Sequence, residues 1–556
     1  MKNETKNCQN CKQDFIIEPD DFGFYEKMNV PPPTFCPECR LVRRLAYRNE
    51  RTFHHRICEK CNKKMISVFP EDSGIHVHCQ PCWWGDSWDG KDYATDYDPS
   101  RSFLDQLYEL LYRIPVMSLF GLYTTNVGTE YANMTGWLKN CYMVTYSDHC
   151  ENVVHGSFVN WSKDSIDNLM GQSLELCYET INCDQCYETF FSVDCGSCTN
   201  ILFSKNCSGC NNCFGCVNLK NKSYYIFNEP YSKDEYRHRL KELYPSTHEN
   251  IEKGWQESQE LWKKAPQKYI HGWRNVSSSG DYLNDTKNAK DCFIGFDIED
   301  CRYCSFVTGK LTDSYDFTNF GENSSLLYEA IQTGDQASEV KFSWWGITNV
   351  QNVEYCMFVV SSNNLFGCAG LKKGQYCILN KQYSKKEYFD LREKIIVKMK
   401  ADGEYGGFFP IDRSPFGYNE TSAQEFFPLT KKEALNKGYK WKEHEQKKYE
   451  IKKEIIPCEH KGICDDACTT AFIPHPMELQ FYKRMNLPNP KLCPNCRHAA
   501  RLKFRNPLKL WHRTCMCDRE GHLHRKVKCE IEFETSYSPE RQEIVYCEKC
   551  YQQEIY

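Results

Sequence analysis

The 556-residue sequence lacks any apolar run that approaches the roughly 18–20 residues of a membrane-spanning helix. Its first residues, MKNETKNCQNC, lack the apolar core of a secretory signal peptide. The chain nevertheless contains 35 cysteines, an odd number. Together these features favour reduced thiols over a secreted disulfide framework. We therefore expect a cytoplasmic protein that does not enter the membrane.

The sequence also lacks the motifs of common enzymes: a P-loop, a GxSxG turn, HExxH and a dinucleotide fingerprint. Its net charge of -5 argues against a uniformly basic nucleic-acid coat, although basic charge can be local. These absences favour a non-enzymatic protein and leave an enzyme of unknown class as the third alternative.

Cysteine is abundant, and its spacing near the N terminus returns near the C terminus. Twenty-four residues separate the pairs Cys8/Cys11 and Cys36/Cys39, and the same interval separates Cys464/Cys468 from Cys493/Cys496. Eighteen residues then precede the next cysteine, Cys58 or Cys515. The flanking sequences also match: FYEKMNVPPPTFCPEC near the N terminus corresponds to FYKRMNLPNPKLCPNC near the C terminus. The spacing indicates one metal-binding module duplicated at the two ends.

Zinc prefers tetrahedral thiolate and imidazole ligands, and a CxxC turn supplies two thiolates. The sequence predicts about four structural zinc ions per chain. The predicted ligand sets are Cys8, Cys11, Cys36 and Cys39; Cys58, Cys61, Cys79 and Cys82; Cys464, Cys468, Cys493 and Cys496; and Cys515, Cys517, Cys547 and Cys550. Cys529 is the substitute if the tight CxC at Cys515 and Cys517 cannot contribute both sulfurs. Because four thiolates close a site, these positions predict structural rather than catalytic zinc.

Two arginine-rich strips lie between the metal sites, with aromatic residues interleaved. Cationic side chains neutralise phosphates, and aromatic rings stack on unpaired bases. The strips predict binding to nucleic acid, with structured RNA or a ribonucleoprotein favoured. A protein partner is the alternative, and a third possibility is intramolecular pairing of the arginines with the acidic centre of the chain. The candidate nucleic-acid-binding residues are Arg40, Arg43, Arg44, Arg48, Arg51, Arg56, Arg497, Arg501, Arg505 and Arg513.

The central part of the chain shows a period of 12 residues, carried by Cys183, Cys195 and Cys207 and again by Cys186, Cys198 and Cys210. Residues 211–236 return as residues 363–388. A short fixed period is typical of stacked coils. We therefore predict a mainly β fold with peripheral helices, in which terminal zinc-ribbon modules flank a duplicated β-solenoid with two repeats, or about 24 residues, per coil. A run of CxxC steps, Cys207, Cys210, Cys213 and Cys216, is either a ladder of buried thiols, which the period favours, or a further metal site.

Capping boxes at Ser232/Glu235 and Ser384/Glu387 predict a helix after each solenoid. The expected order is an N-terminal double zinc ribbon (1–90), an amphipathic connecting helix (91–119), a first solenoid (120–230), charged helices (231–270), a second solenoid (271–382), helices with an aromatic-glycine segment (383–456), and a C-terminal double zinc ribbon (457–556).

Five words of the chain resemble a family of cysteine-rich bacterial zinc-ribbon proteins, some of which carry a CaiB/BaiF transferase label. They are FYEKMNVPPPTFCPECR, RNERTFHHRICEKC, HCQPCWWGDSWDG, NCFGCVNLKNKSY and SPFGYNET. The resemblance spans nearly the whole chain and implies metal binding. The transferase label finds no support, because the sequence lacks the strand–helix alternation of such an enzyme.

Overall fold

The computed structural model describes residues 2–443, 454–464, 466–522, 524 and 528–555. Within these residues the fold is mainly β with twelve α-helices, and clusters of cysteines lie near both ends of the chain. None of the helices in this part of the chain has the length and hydropathy needed to cross a bilayer. The chain forms two compact units, and each combines segments that are distant in sequence.

The first unit contains Met1–Ser118, Ile270–Lys442 and Leu508–Leu510, and the second contains Leu119–Tyr269, Glu443–Pro507 and Trp511–Tyr556. The N-terminal cysteine module therefore shares a unit with the later part of the central region. The C-terminal module shares a unit with the earlier part.

The helices of the first unit are Pro19–Lys27, Pro37–Leu45, Gln80–Trp84, Phe103–Leu111, Lys385–Asp402, Ser422–Phe426 and Lys431–Asn436. Those of the second unit are Lys233–Leu243, His248–Lys264, Pro476–Arg484, Pro494–Leu502 and Glu548–Ile555. Both predicted capping boxes are confirmed, because the Ser232 and Ser384 hydroxyls accept the N–H groups of Glu235 and Glu387. Residues 444–453 of the expected segment 383–456 lie outside the described residues.

Each cysteine module contains two short antiparallel hairpins. Their strands are Glu4–Asn7 with Asp14–Ile17, His54–Ile57 with Lys64–Ser67, Ile456–Pro457 with Ala471–Phe472, and Trp511–Thr514 with Glu532–Thr535. Two parallel pairs, His76–His78 with Pro115–Met117 and Gln267–Lys268 with Val545–Tyr546, connect the modules to neighbouring segments of the same unit.

The second unit contains a parallel ladder, here called the first ladder (residues 132–226). Its strands are Ala132–Gly136, Val144–Asp148, Ser157–Asn160, Leu169–Gln172, Thr199–Leu202, Asn211–Phe214 and Ser223–Ile226. Single bridges continue the pairing between them, as from Ile181 to Val193. Each partner lies one sequence repeat further along the chain, as Ala132 pairs with Val144. The expected coil of two repeats is therefore wrong, because a single repeat already brings the backbone back beside itself.

The first ladder advances in steps of three residues. From Cys141 to Cys216, every third residue is buried. The residue before each of these positions has a φ between 45° and 66°. This left-handed conformation costs an ordinary residue roughly 1–2 kcal/mol, whereas Asn and Asp adopt it more readily. Asn182, Asp194 and Asn206 therefore stand at such corners, and four of these steps make up one repeat.

The narrow interior explains the abundance of cysteine. Apart from Asn168, Leu174 and Ile201, the inward residues are Cys, Ser, Thr, Val or Gly. The inward cysteine thiols also contact backbone carbonyls. The Cys195 Sγ, for example, lies 3.3 Å from the Val193 carbonyl oxygen and 3.5 Å from that of Ser204. A small side chain with a weak donor fits this space, and it adds a second contact to carbonyl oxygens that already accept backbone N–H groups, as those of Val193 and Ser204 do.

The first unit contains the second ladder (residues 272–378). Most of its paired strand residues are one repeat apart along the chain, as Asp281 and Phe293 are, or one repeat plus one residue, as Tyr315 and Tyr328 are. Its main strands are Gly272–Trp273, Gly280–Asn284, Cys292–Phe296, Ser305–Val307, Tyr315–Phe320, Ser324–Thr333, Ser338–Lys341, Gln351–Glu354, Asn363–Phe366 and Gln375–Ile378. Four further strands pair alongside, at Ile298–Glu299, Leu311–Thr312, Trp344–Ile347 and Met357–Val360. Glu229–Pro230 and Lys381–Gln382 end the two ladders by turning back antiparallel.

Candidate metal centres

The first metal centre joins a hairpin turn to the start of a helix. The turn after Glu4–Asn7 carries Cys8 and Cys11, while Cys36 is the N-cap of Pro37–Leu45 and Cys39 lies in its first turn. All four ligand atoms lie within 4.8 Å of one another. The Cys36 N–H donates to the Cys8 Sγ at 3.2 Å. The structure therefore brings together the four cysteines predicted for this site.

The second centre has the same construction. Its turn follows His54–Ile57 and carries Cys58 and Cys61, and Cys79 caps Gln80–Trp84 with Cys82 in the first turn. The Cys79 N–H donates to the Cys58 Sγ at 3.2 Å. These four cysteines also converge as predicted.

The third centre corrects one predicted ligand. Cys458, rather than Cys464, forms the tetrad with Cys468, Cys493 and Cys496. Cys458 occupies the place of Cys8, because the Cys493 N–H donates to its Sγ at 3.3 Å. Nine residues separate Cys458 from Cys468, so the CxxC turn is expanded here. Cys464 lies beside the tetrad, with its Sγ 3.6 Å from that of Cys496.

The fourth centre corrects a second ligand. Cys529, the substitute, joins Cys515, Cys547 and Cys550, and Cys517 is not part of this tetrad. The backbone explains the choice, because the Cys515 N–H donates to the Ile531 carbonyl as the Cys58 N–H does to that of Lys63. Ile531 follows Cys529 by two residues, just as Lys63 follows Cys61.

The sulfur separations fit a tetrahedral zinc ion. With Zn–S bonds of about 2.3 Å, two thiolates of one ion lie about 3.8 Å apart. The Sγ atoms of Cys11 and Cys36 are 3.7 Å apart, those of Cys61 and Cys79 are 3.8 Å apart, and those of Cys458 and Cys496 are 3.9 Å apart. The donor sets therefore fit zinc, which would hold each turn against its helix.

Backbone N–H groups prepare several thiols for metal binding, which requires the thiolate. Burial raises the pKa of the Cys8 thiol, but the N–H groups of Cys36, Cys11 and Asn10 outweigh it and lower the pKa to about 6. The same opposition of burial and backbone donors lowers the pKa of Cys58 to about 7.

Mutation can distinguish Cys458 from Cys464, the ligand predicted for the third centre. We expect Cys458→Ala to lose one zinc ion per chain and Cys464→Ala to retain the full number, because only Cys458 stands where Cys8 does. Elemental analysis after gel filtration measures the count, and Cys8→Ala is the matched control that also loses one ion. Loss of zinc from Cys464→Ala with retention in Cys458→Ala would reverse the assignment.

The thiols of the CxxC run are buried in the first ladder, and each lies within sulfur hydrogen-bonding distance of a carbonyl. The Sγ of Cys210 is 3.3 Å from the Leu219 carbonyl, and that of Cys216 is 3.4 Å from the Phe214 carbonyl. Cys207 and Cys213 make similar contacts with Lys205 and Asn211. These contacts support the ladder of buried thiols.

Six arginines of the two strips are buried instead of facing solvent: Arg40, Arg44, Arg48, Arg497, Arg501 and Arg505. In the first unit, one carboxylate serves two of them, since Asp316 lies 2.9 Å from the Arg40 Nε and 3.3 Å from an Arg44 Nη. Glu329 lies 3.2 Å from the same Arg44 nitrogen. The helix Pro37–Leu45 is therefore bound to the second ladder by two buried cations and two buried anions.

The second unit uses the equivalent residues in the same way. Arg497 and Arg501 of the helix Pro494–Leu502 both lie 3.0 Å from the Asp167 carboxylate of the first ladder. Arg501 also lies 3.0 Å from Glu179, and Arg497 lies 2.8 Å from Glu478. Buried guanidinium groups with these partners cannot reach a phosphate while the unit is folded. This burial is at odds with the prediction that these arginines contact nucleic acid directly.

The remaining arginines are partly exposed. Arg43 stacks 4.6 Å from the centre of the Phe35 ring, and Arg51 is half-buried. Arg56 donates to the carbonyls of Pro70 and Ile75, and Arg513 to those of Tyr537 and Ser538. Most of the predicted nucleic-acid residues therefore have contacts within their own unit.

Sequence reasoning did not identify Cys458 or the buried acids Asp167, Asp316 and Glu329. A comparison of the hairpin strands before each first cysteine would have found Cys458. No local pattern marks the acids, since they become partners only when a helix packs on a ladder. The metal assignment rests on this geometry, because the chain matches no model of a known protein family and no curated protein.

Proposed function

We propose that the protein is a non-enzymatic zinc-binding scaffold. Each ladder is a β-solenoid, and each cysteine module is a double zinc ribbon that is fixed to the ladder of its own unit. The observation that carries the proposal is the use of equivalent arginines, Arg40 and Arg44 in one unit and Arg497 and Arg501 in the other, to bind a buried aspartate. These buried ion pairs fix each module to the ladder of its own unit, as a scaffold requires.

Further features support the solenoid and the structural role of zinc. The ladders pair almost entirely in parallel at an offset of one repeat, lengthened in places by one residue, as stacked coils require. The four-thiolate centres leave no ligand position for a substrate. None of the 35 cysteines, all of which lie in the described part of the chain, is joined in a disulfide, which favours a reducing compartment such as the cytoplasm. We also propose that the chain is related to the cysteine-rich bacterial zinc-ribbon proteins that its sequence resembles.

For the partner we propose nucleic acid, with RNA favoured, bound through cations other than the buried arginines. Lys60, Lys63 and Lys64 are exposed around the turn of the second centre, next to the exposed His55. The Lys60 Nζ donates to the Ser87 carbonyl at 3.2 Å, while Lys63 and Lys64 extend from the same turn. Such a turn suits a phosphate backbone, because its main chain needs no further ordering once metal has fixed it.

The salt dependence of RNA binding tests this proposal. We expect single-stranded or hairpin RNA to bind the zinc-loaded protein with an affinity that falls as salt rises. Lys60→Glu, Lys63→Glu and Lys64→Glu combined should weaken binding at least tenfold and reduce the slope of log affinity against log salt by about two, since each phosphate contact with a single strand contributes about 0.7. Fluorescence anisotropy over a salt series measures both quantities.

The matched control carries Lys253→Glu, Lys263→Glu and Lys264→Glu, three exposed lysines on the helix His248–Lys264. It should bind RNA as the unmodified protein does. Equal weakening by the two triple variants would show that only net charge matters. The absence of salt-sensitive binding to RNA or DNA would overturn the nucleic-acid proposal.

A protein partner is the second candidate, favoured by an exposed aromatic stack on the first ladder. His149 lies between Trp137 and Trp161, with ring centroids 4.6 Å and 3.8 Å apart. The two tryptophans are 48% and 60% exposed, which is uncommon for such large apolar side chains. A stoichiometric partner that survives nuclease treatment, and is lost on Trp137→Ala with Trp161→Ala, would favour this candidate over RNA.

A further inference from the structure

The turn of the fourth centre contains an insertion that its tetrad does not need. Two residues separate Cys58 from Cys61, whereas thirteen separate Cys515 from Cys529. The tetrad of Cys515, Cys529, Cys547 and Cys550 is complete without any residue of the insertion. The added segment nevertheless carries Cys517, His522 and His524, which are zinc-binding residue types.

These three side chains converge on one point beside the tetrad. The Cys517 Sγ is 3.1 Å from the His522 Nδ1 and 3.5 Å from the His524 Nε2. Together with the Cys550 Sγ, the three ligand atoms all lie within 4.8 Å of one another. A sulfur and a nitrogen of one tetrahedral zinc ion, with bonds of about 2.3 Å and 2.0–2.1 Å, lie about 3.5 Å apart. The arrangement therefore has the dimensions of a Cys₂His₂ site.

The surroundings of His522 also suit a metal ligand. Its Nδ1 faces Cys517, and its Nε2 lies 3.5 Å from the Glu554 carboxylate. Arg519 holds that carboxylate at 2.7 Å. A carboxylate behind the second ring nitrogen orients a metal-bound imidazole and fixes its tautomer. A thiol that merely accepted a hydrogen bond from one imidazole would not require a second imidazole and this carboxylate.

We propose that Cys517, His522, His524 and Cys550 hold a fifth zinc ion, and that the Cys550 thiolate bridges it to the ion of the fourth centre. The C-terminal module then holds three zinc ions and the N-terminal module two, because a pair of ions stands at the fourth centre where the second centre has one. This inference rests on the proposed zinc loading of the fourth centre. Binding releases the thiol proton of Cys517 and changes no oxidation state, so no further reactant is needed.

Zinc stoichiometry of the full-length protein tests the inference. The protein is reconstituted with excess Zn²⁺, desalted and measured by elemental analysis. We expect five ions per chain, and four in each of Cys517→Ala, His522→Gln and His524→Gln. His512→Gln is the matched control, because His512 is an exposed imidazole of the same module that pairs with Glu532 and Glu534, and it should retain five.

Four ions in the unmodified protein and in all these variants would overturn the fifth site and leave the scaffold proposal intact. Two or fewer ions in the unmodified protein would overturn the scaffold proposal itself. Co²⁺ titration of the unmodified protein provides a test that needs no variant. The Cys₂His₂ site should add a step whose sulfur-to-cobalt absorption per ion is weaker than that of the four-thiolate sites, and a titration with only uniform four-thiolate steps would count against it.

Discussion

Removal of zinc by a strong chelator is expected to unfold the cysteine modules while much of each ladder stays folded. Structural zinc contributes about 10–16 kcal/mol of apparent binding free energy in small zinc domains. A whole domain is commonly stable by only about 5–15 kcal/mol. Each module here has short hairpins, such as Glu4–Asn7 with Asp14–Ile17, which cannot replace that contribution. The ladders have continuous buried interiors that contain no residue of the four tetrads.

Limited proteolysis followed by mass spectrometry measures this outcome. New cleavage sites should appear within residues 2–82 and 458–550 after chelation, and the core of the first ladder, 141–216, should remain protected. Chelator saturated with zinc beforehand is the control, and added Zn²⁺ should restore the original pattern. An unchanged cleavage pattern in protein shown to be metal-free would contradict a structural role for zinc.

Asp316→Ala is expected to destabilise the first unit by about 3–5 kcal/mol, the cost of leaving a buried charge without its partner. The Asp316 carboxylate and the Arg44 guanidinium are fully buried, and Arg40 is nearly so. Without Asp316, Arg44 would keep Glu329, and Arg40 would lose the carboxylate that lies 2.9 Å from its Nε. Asp167→Ala should destabilise the second unit less, because Arg501 would keep Glu179 and Arg497 would keep Glu478.

Urea denaturation followed by tryptophan fluorescence measures the loss. The matched control is Glu109→Ala, which removes the partner of Arg101 in an ion pair whose side chains are 59% and 44% exposed. An exposed pair of this kind contributes about 0–1 kcal/mol. If Asp316→Ala shifts the unfolding midpoint no more than Glu109→Ala does, the helix Pro37–Leu45 is not held by the buried ion pairs.

The equivalence of the modules extends beyond what cysteine spacing indicated. Each of the four centres places a cysteine backbone N–H against the Sγ of the first cysteine, at 3.2 Å or 3.3 Å. The turns of the third and fourth centres differ from their N-terminal counterparts by insertions. The insertion in the turn of the fourth centre brings two imidazoles and a further thiol together beside the tetrad. The C-terminal module is therefore where the two ends of the chain differ in chemistry.

Local regularities of the sequence were sufficient for several features. The regular intervals between cysteines placed the first two centres correctly, because a turn and a helix N terminus supply ligands at fixed local spacing. The period of the central cysteines agreed with the strand offset, since small inward residues and left-handed corners must recur once per circuit. The capping boxes at Ser232 and Ser384 began helices because a cap needs only a few neighbouring residues.

The same spacing failed where the backbone contained an insertion. Cys464 and Cys517 lie at the expected intervals along the chain, but Cys458 and Cys529 complete the tetrads that could hold the third and fourth metal ions. Ligand choice in an expanded turn depends on which sulfur reaches the helix N terminus in space. Counting residues cannot settle that choice, because the inserted segment can leave the site and return to it.

The sequence by itself determined the chemistry of the chain: thiolate ligands near both ends, a narrow ladder interior of small residues, and helices that begin at capping boxes. Only the tertiary structure decided the fate of the arginines. Arg40, Arg44, Arg497 and Arg501 resemble a phosphate-binding strip in sequence, but each is buried against an acid that lies hundreds of residues away along the chain. A cation faces solvent or a carboxylate according to which helix face packs on which ladder, and that packing is a long-range property that local patterns do not contain.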